Sequence, residues 1–163
     1  MKKLLTTLPI AGAVALALSA APAPDYKMLC NQITEIPGWQ AEKCDGLSMT
    51  GPMGEVVMAS RTYRKGNETM QVTVVSGMQA TMAWSQFATG MTMENDEMLM
   101  KVETIDGFEV GISYDKPNRS GGITVKLAPN AVLAVVFEGM DWKEALEAAK
   151  KMDWEALAAP FKP

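Results

Sequence analysis

Apolar and polar positions alternate with a period of two through most of the second half of the chain. Glu97–Ile105, Phe108–Asp115, Gly122–Ala128 and Ala131–Glu138 each read as a strand. Asp106-Gly107 joins the first pair. A type I′ turn needs φ > 0 at both central residues, and Asp-Gly supplies this at low cost. Met98, Met100 and Val102 share one face of their strand, and Phe108, Val110, Ile112 and Tyr114 share one face of the next. Glu55–Lys65 and Glu68–Ser76 alternate in the same way around Gly66-Asn67 and read as a second hairpin. On its later strand Met70, Val72 and Val74 face one way and Thr69, Gln71 and Thr73 the other.

Helical spacing takes over elsewhere. Asp25 can cap a helix carrying Tyr26, Leu29, Cys30, Ile33 and Ile36 on one side, stopped by Pro37-Gly38. Trp39 to Cys44 reads as a short strand, and Asp45 to Gly54, rich in glycine and proline, as a loop. A helix is expected over Met78 to Ala88, with Ser76 as its cap, Gly90 as its terminator, and Met78, Met82, Ala83 and Phe87 as its buried stripe. Met91 to Asp96 reads as a loop. Near the end, Met140-Asp141-Trp142-Lys143-Glu144-Ala145-Leu146 recurs, one residue shorter, as Met152-Asp153-Trp154-Glu155-Ala156-Leu157. Each Asp can cap a helix that begins at Trp, and Glu144 can complete a capping-box-like pair with Asp141. The order α-β-β-β-α-β-β-β-β-α implies an α+β domain, an antiparallel sheet of about six to seven strands with helices packed on it. Most links between strands are too short for a parallel crossover.

Composition adds a location. Lys2 and Lys3 precede an apolar run from Leu4 to Leu18, and small residues follow at Ser19, Ala20 and Ala21. This is the layout of an export signal over residues 1–21, leaving 22–163 as a single domain. The run is shorter than the ~20 residues a spanning helix needs, so no membrane span is expected after cleavage. Without Lys2 and Lys3, 13 basic residues face 19 acidic ones, a net charge of −6. An acidic surface without a basic stripe argues against nucleic acid as a partner. Two cysteines in an exported chain, Cys30 and Cys44, read as one disulfide, and the protein as periplasmic or secreted.

Three stretches carry a resemblance: Pro37-Gly38-Trp39 after the first helix, Ser60-Arg61-Thr62-Tyr63 in the second strand, and a late strand before a helix ending in Asp153…Leu157. They resemble a family of small exported bacterial proteins without an assigned activity. The resemblance spans most of the chain after the leader. The element order is also similar to the Mog1/PsbP-like α/β sandwich, which hosts binding and assembly roles. That similarity concerns the fold and transfers no site residue.

Candidate chemistry is sparse. The chain has no histidine, which removes the commonest general base, the Ser-His and Cys-His pairs and most zinc sites. No Gly-rich phosphate loop occurs. Glu94, Asp96 and Glu97 lie close together but lack the spacing of a calcium loop and read as a solvated turn. No catalytic residue is expected, although carboxylates paired only in space leave no trace in sequence. The anomaly is methionine: 13 follow the leader, against seven leucines. Met78 with Met82 and Met98 with Met100 have the spacing of buried positions, and methionine replaces leucine in cores at little cost. The expected function is therefore a non-catalytic binding or assembly module of the bacterial cell envelope, engaging an unknown protein or a small apolar ligand and needing no cofactor. The rival is a periplasmic Cu(I)-binding protein. Thioethers hold Cu(I) without deprotonation, and Met91 and Met93, with a third sulfur from Met98 or Met53, are the candidate ligands.

Overall fold

A computed structural model describes residues 24–163. The leader expected over residues 1–21 lies outside the described residues. The elements run α1 (Tyr26–Gln32), β1 (Gln40–Ala41), β2 (Asp45–Gly51), β3 (Gly54–Lys65), β4 (Glu68–Ser76), α2 (Met78–Ser85), β5 (Met93–Glu94), β6 (Met98–Ile105), β7 (Phe108–Asp115), β8 (Ser120–Ala128), β9 (Ala131–Glu138), α3 (Trp142–Ala149), α4 (Trp154–Ala158) and a closing 3₁₀ turn over Ala159–Phe161. The strands form one antiparallel sheet in the order β1-β3-β4-β9-β8-β7-β6-β5, with β2 paired to β3 beside β1. The α+β class stands, but the sheet has nine strands rather than six to seven.

The extra strands come from two stretches read as loops. Asp45 to Gly51 pairs residue by residue with β3, from Asp45↔Ser60 to Gly51↔Gly54, leaving Pro52-Met53 as the turn. Gly46 is required because α1 crosses there: a Cβ would stand 2.8 Å from the Tyr26 side chain and 2.2 Å from the Met58 carbonyl oxygen. Met93 and Glu94 form β5 by pairing with Met100 and Leu99, too short a strand for alternation to betray. The Asp106-Gly107 turn is as expected, with φ of 51° and 85°.

One face of the sheet is sealed. Val72, Val74, Leu133, Val135, Phe137, Ile112, Ile123 and Val125 point into a core closed by α1, α3 and α4. Leu29 and Ile33 of the first helical segment, Ala145 and Ala149 of α3, and Trp154 and Leu157 of α4 are buried against it. Asp25, Asp141 and Asp153 each cap their helix, accepting from Lys27 N, Lys143 N and Ala156 N. Trp154 Nε1 donates to the Ala149 carbonyl at 2.9 Å, so the second copy of the repeat is tied to the end of the first. Tyr63 is fully buried here and donates its hydroxyl to the Thr34 carbonyl, and burial pushes its phenol up to about 12. The Cys30–Cys44 disulfide, with Cα atoms 5.6 Å apart, staples α1 to the start of β2. Such a bond is consistent with an oxidising compartment.

The opposite face differs from expectation. α2 lies on it, but its buried residues are Ala80 and Trp84, followed by Phe87 just beyond the helix. Met78 and Met82 are 61% and 67% exposed. Both spacings are helical, and the bulkier indole takes the inward side. Ser76 does not cap α2: its Oγ accepts from Val57 N, and Gly77 holds the cap position with φ of 83°. Glu144 likewise does not close a capping box; it accepts from Lys65 Nζ at 2.8 Å.

Candidate functional site

Strand register lays out the second face in rows across the sheet. In an antiparallel pair, residues directly opposite point to the same side. Following the pairings from β3 to β5 gives one row: Thr62, Gln71, Val136, Gly122, Ser113, Met100, Met93. Six interstrand spacings of about 4.8 Å make this row about 29 Å long. None of its seven residues is charged. The row beside it, Ser60, Thr73, Ala134, Thr124, Gly111 and Val102, is also uncharged. Ser60 and Thr73 share a hydrogen bond of 2.9 Å, and Gln71 Nε2 donates to Ser60 Oγ at 3.2 Å. Phe87 roofs the second row over Gly111, where a Cβ would fall 2.4 Å from its ring.

Charges border this lane. On one side the next row is Arg64, Thr69, Glu138, Ser120, Asp115 and Met98. On the other, Lys126 and Glu109 form an ion pair of 3.3 Å beneath Trp84, whose ring centre is 5.4 Å from the Lys126 nitrogen. At the centre of the lane Val136 is 57% exposed. The exposed large apolar residues are Met28, Leu47, Met49, Met53, Met78, Met82, Met91, Met93, Met98 and Val136. Apart from Met28 on α1, they belong to this side of the sheet, to its two ends, or to α2. The methionines of the sealed face, Met70, Met140 and Met152, are buried. Methionine therefore has two roles here, divided by the sheet.

The exposed methionines form two groups. At the β2–β3 end, Met49, Met53 and Met78 line an open recess of about 450 Å³ with Pro52 and Val56. At the β5–β6 end, Met93 stands directly across from Met100, and Met98 follows two residues along on the same side. Thr92 and Glu94 line a recess on the sealed face with Leu99 and Tyr114, which leaves Met93 on the opposite side. Of the candidate metal ligands, Met91, Met93 and Met98 thus belong to one edge. Met53, 85% exposed in the β2–β3 turn, is at the other edge of the sheet. The residue missed in sequence is Met100, which the register places opposite Met93.

Of the carboxylates near the recesses, Asp25, Glu94 and Asp141 are engaged in the fold. A polar recess of about 600 Å³ between Ser48, Ser76, Asn130 and Phe161 includes Asp25, which caps α1, and Glu55. Another, of about 610 Å³, lies between Lys101, Tyr114, Lys116 and Trp142. Here Asp141 caps α3, and Glu94 accepts from Lys116 Nζ at 2.9 Å, which holds its carboxyl below the usual range. The neighbouring acidic turn is organised by Asn95, whose side chain accepts from Glu97 N and Met98 N. Among the described residues no group of three or more His, Cys, Asp or Glu could hold a metal ion, and no helix is long and apolar enough to cross a membrane. Comparison with protein-family models, curated proteins and solved structures returns no match for this chain.

Proposed function

We propose that the protein is a non-catalytic binding module of the bacterial cell envelope, periplasmic or secreted, and that the uncharged lane is where it binds. The occupant is an apolar patch of a partner protein bordered by basic residues. The observation that carries this reading is the composition of the lane: an uncharged, half-apolar interior, exposed methionines at both ends and charges only at its borders. Protein interfaces have this anatomy, with charge depleted at the centre, methionine enriched and a polar rim. Methionine also adapts to a partner's shape. The basic border follows from the net charge of −6 on the chain after its leader. The disulfide supports the location.

A photo-crosslinking residue at Val136 or Gln71, compared with one at Glu147 on the outer side of α3, tests this in the producing cell. One defined protein should be joined from both lane positions and not from Glu147. The purified pair should then bind, and Val136→Glu should abolish that binding while leaving the fold intact. Crosslinks from Glu147 alone, or none from the lane, would overturn the reading.

A further inference from the structure

At its β5 end the lane runs into a cluster of methionines, of which Met93 and Met98 are exposed. β5 is only two residues long, and its pairing sets Met93 across from Met100. Side chains directly opposite have Cβ atoms about 5 Å apart, within reach of two thioether sulfurs turned toward one point. The register continues beyond β5: Asn95 N donates to the Met98 carbonyl at 2.9 Å, so Met98 lies past the end of the strand on the same face as Met100. Met93 and Met98 are 39% and 37% exposed, so this edge is open to solvent. Met100 is held more firmly, packed against the small cluster of Trp84, Phe87 and Val132. Met91, two residues before Met93, is exposed at the same edge.

We propose that Met93, Met98 and Met100 form a site for a soft monovalent cation, Cu(I), with Met91 able to add a fourth sulfur. Three neutral thioethers suit Cu(I), and they do not suit Zn²⁺, Ca²⁺ or Mg²⁺, which need anionic, imidazole or oxygen donors. Methionines apart, the protein offers little competition for a soft ion. It has no histidine, and both cysteines are joined in the disulfide. One anion stands beside the cluster: Asp115 pairs directly with Met98 across β6 and β7. Its side chain accepts from both the backbone and side-chain nitrogens of Asn118, at 3.0 and 2.8 Å, which fix the carboxylate in place. A fixed negative charge next to neutral donors attracts a monovalent cation without displacing any ligand. Met53 has no part in the site, because it belongs to the other edge of the sheet.

The site shares Met93 and Met100 with the end of the lane, but Cu(I) binding needs neither Val136 nor Gln71, so its failure and the failure of the docking reading are read separately. The test is a Cu(I) titration of the purified protein against bicinchoninate, read by the colour of the competitor complex. Wild type should remove one equivalent of Cu(I). Met93→Leu with Met100→Leu should weaken binding by about 100-fold or more, since loss of even an outer-sphere partner costs about 10- to 100-fold. Asp115→Asn should weaken it less. Met49→Leu with Met78→Leu, at the opposite end, should leave it unchanged. The wild-type protein gives a second readout that does not depend on a variant folding. With ¹³C-labelled methionine methyls, Ag(I) should shift the signals of Met93, Met98 and Met100 and leave Met49, Met53 and Met78 in place. Failure to compete with bicinchoninate, equal losses in both double variants, or Ag(I) shifts spread over all exposed methionines would each overturn the proposal.

Discussion

Val136 and Phe137 are neighbours on β9, yet one is more than half exposed and the other 1% exposed. The strand alternates, so each residue meets a different face of the same sheet. Toward Phe137 lie three helices, a tyrosine stacked at 6.0 Å and a continuous aliphatic core. Toward Val136 lie threonine, glycine, serine and methionine, with a single helix among the described residues covering part of the surface. The devices that tie a helix to the sheet also favour the sealed side. The disulfide holds α1 there, and the contact between Lys65 and Glu144 holds α3. Stability is thus concentrated on one face, which leaves the other free to keep an uncharged, adaptable surface open to solvent.

The largest effect should come from breaking this asymmetry at β9. Phe137→Ala removes a ring from the packed core and should cost about 3–5 kcal/mol. Val136→Ala, one residue away, should stay within about 0.5 kcal/mol. Urea unfolding of the two variants measures both, and equal losses would mean that the open face is packed after all. Replacing Cys30 and Cys44 together by alanine releases a closure of 14 residues and should cost about 3 kcal/mol in the chain-entropy model. Because the bond fastens only α1, the methionine methyl signals of the β5 edge should be unmoved in this variant.

A smaller effect is expected on the open side. Gly111→Ala drives a methyl group into the Phe87 ring and should cost about 1–3 kcal/mol by overpacking. Combining it with Phe87→Leu should recover part of the loss, and the double-mutant cycle reads the coupling directly. No recovery would mean that the strain is carried by the strand and not by the roof over it.

How much of this was legible depends on distance along the chain. The Asp106-Gly107 hairpin, the caps at Asp25, Asp141 and Asp153, and the disulfide all follow from local residue chemistry, and the sequence reading found them. Alternation also separated the two faces of β4 and β7 correctly. Helical spacing fits Met78 with Met82 and Ala80 with Trp84 equally, and only contact with the sheet selects Ala80 and Trp84 as the buried pair. Gly46 hides β2 in the sequence, because its role is the close approach of the β3 backbone at Met58 and of Tyr26 on α1, and not a loop. The lane was out of reach for a different reason. Its seven residues come from seven strands, one from each, and only the register assembles them. Met93 and Met100 become partners in the same way.

The weakest fastening of the sealed face gives the smallest expected effect, and pH reads it. Lys65 Nζ lies 2.8 Å from Glu144 and 3.2 Å from Glu68, and 4.8 Å from the centre of the Trp39 ring. The hydrogen bond to Glu144 is the main cause that raises the Lys65 ammonium above its usual value, and the same bond lowers the Glu144 carboxyl. A lowered carboxyl contributes stability above its unfolded value, and this is lost as pH falls through the folded one. A raised ammonium contributes below its unfolded value, and this is lost as pH rises through the folded one. The pair should therefore help over the neutral range and fade on both sides, on the acid side through Glu144 and on the alkaline side through Lys65. Both groups are solvent-accessible, so screening limits the contribution to about 0.2–1 kcal/mol, less in high salt. Glu144→Gln should flatten the acid limb of the stability–pH curve and remove the Lys65 part of the alkaline limb, leaving the part set by burial of Tyr63, whose phenol is pushed up to about 12. Stability of the open face, read by the methionine methyl signals of Met93 and Met98, should not respond to this substitution at any pH. A change there would show that α3 braces both faces of the sheet and would remove the division of labour argued from Val136 and Phe137.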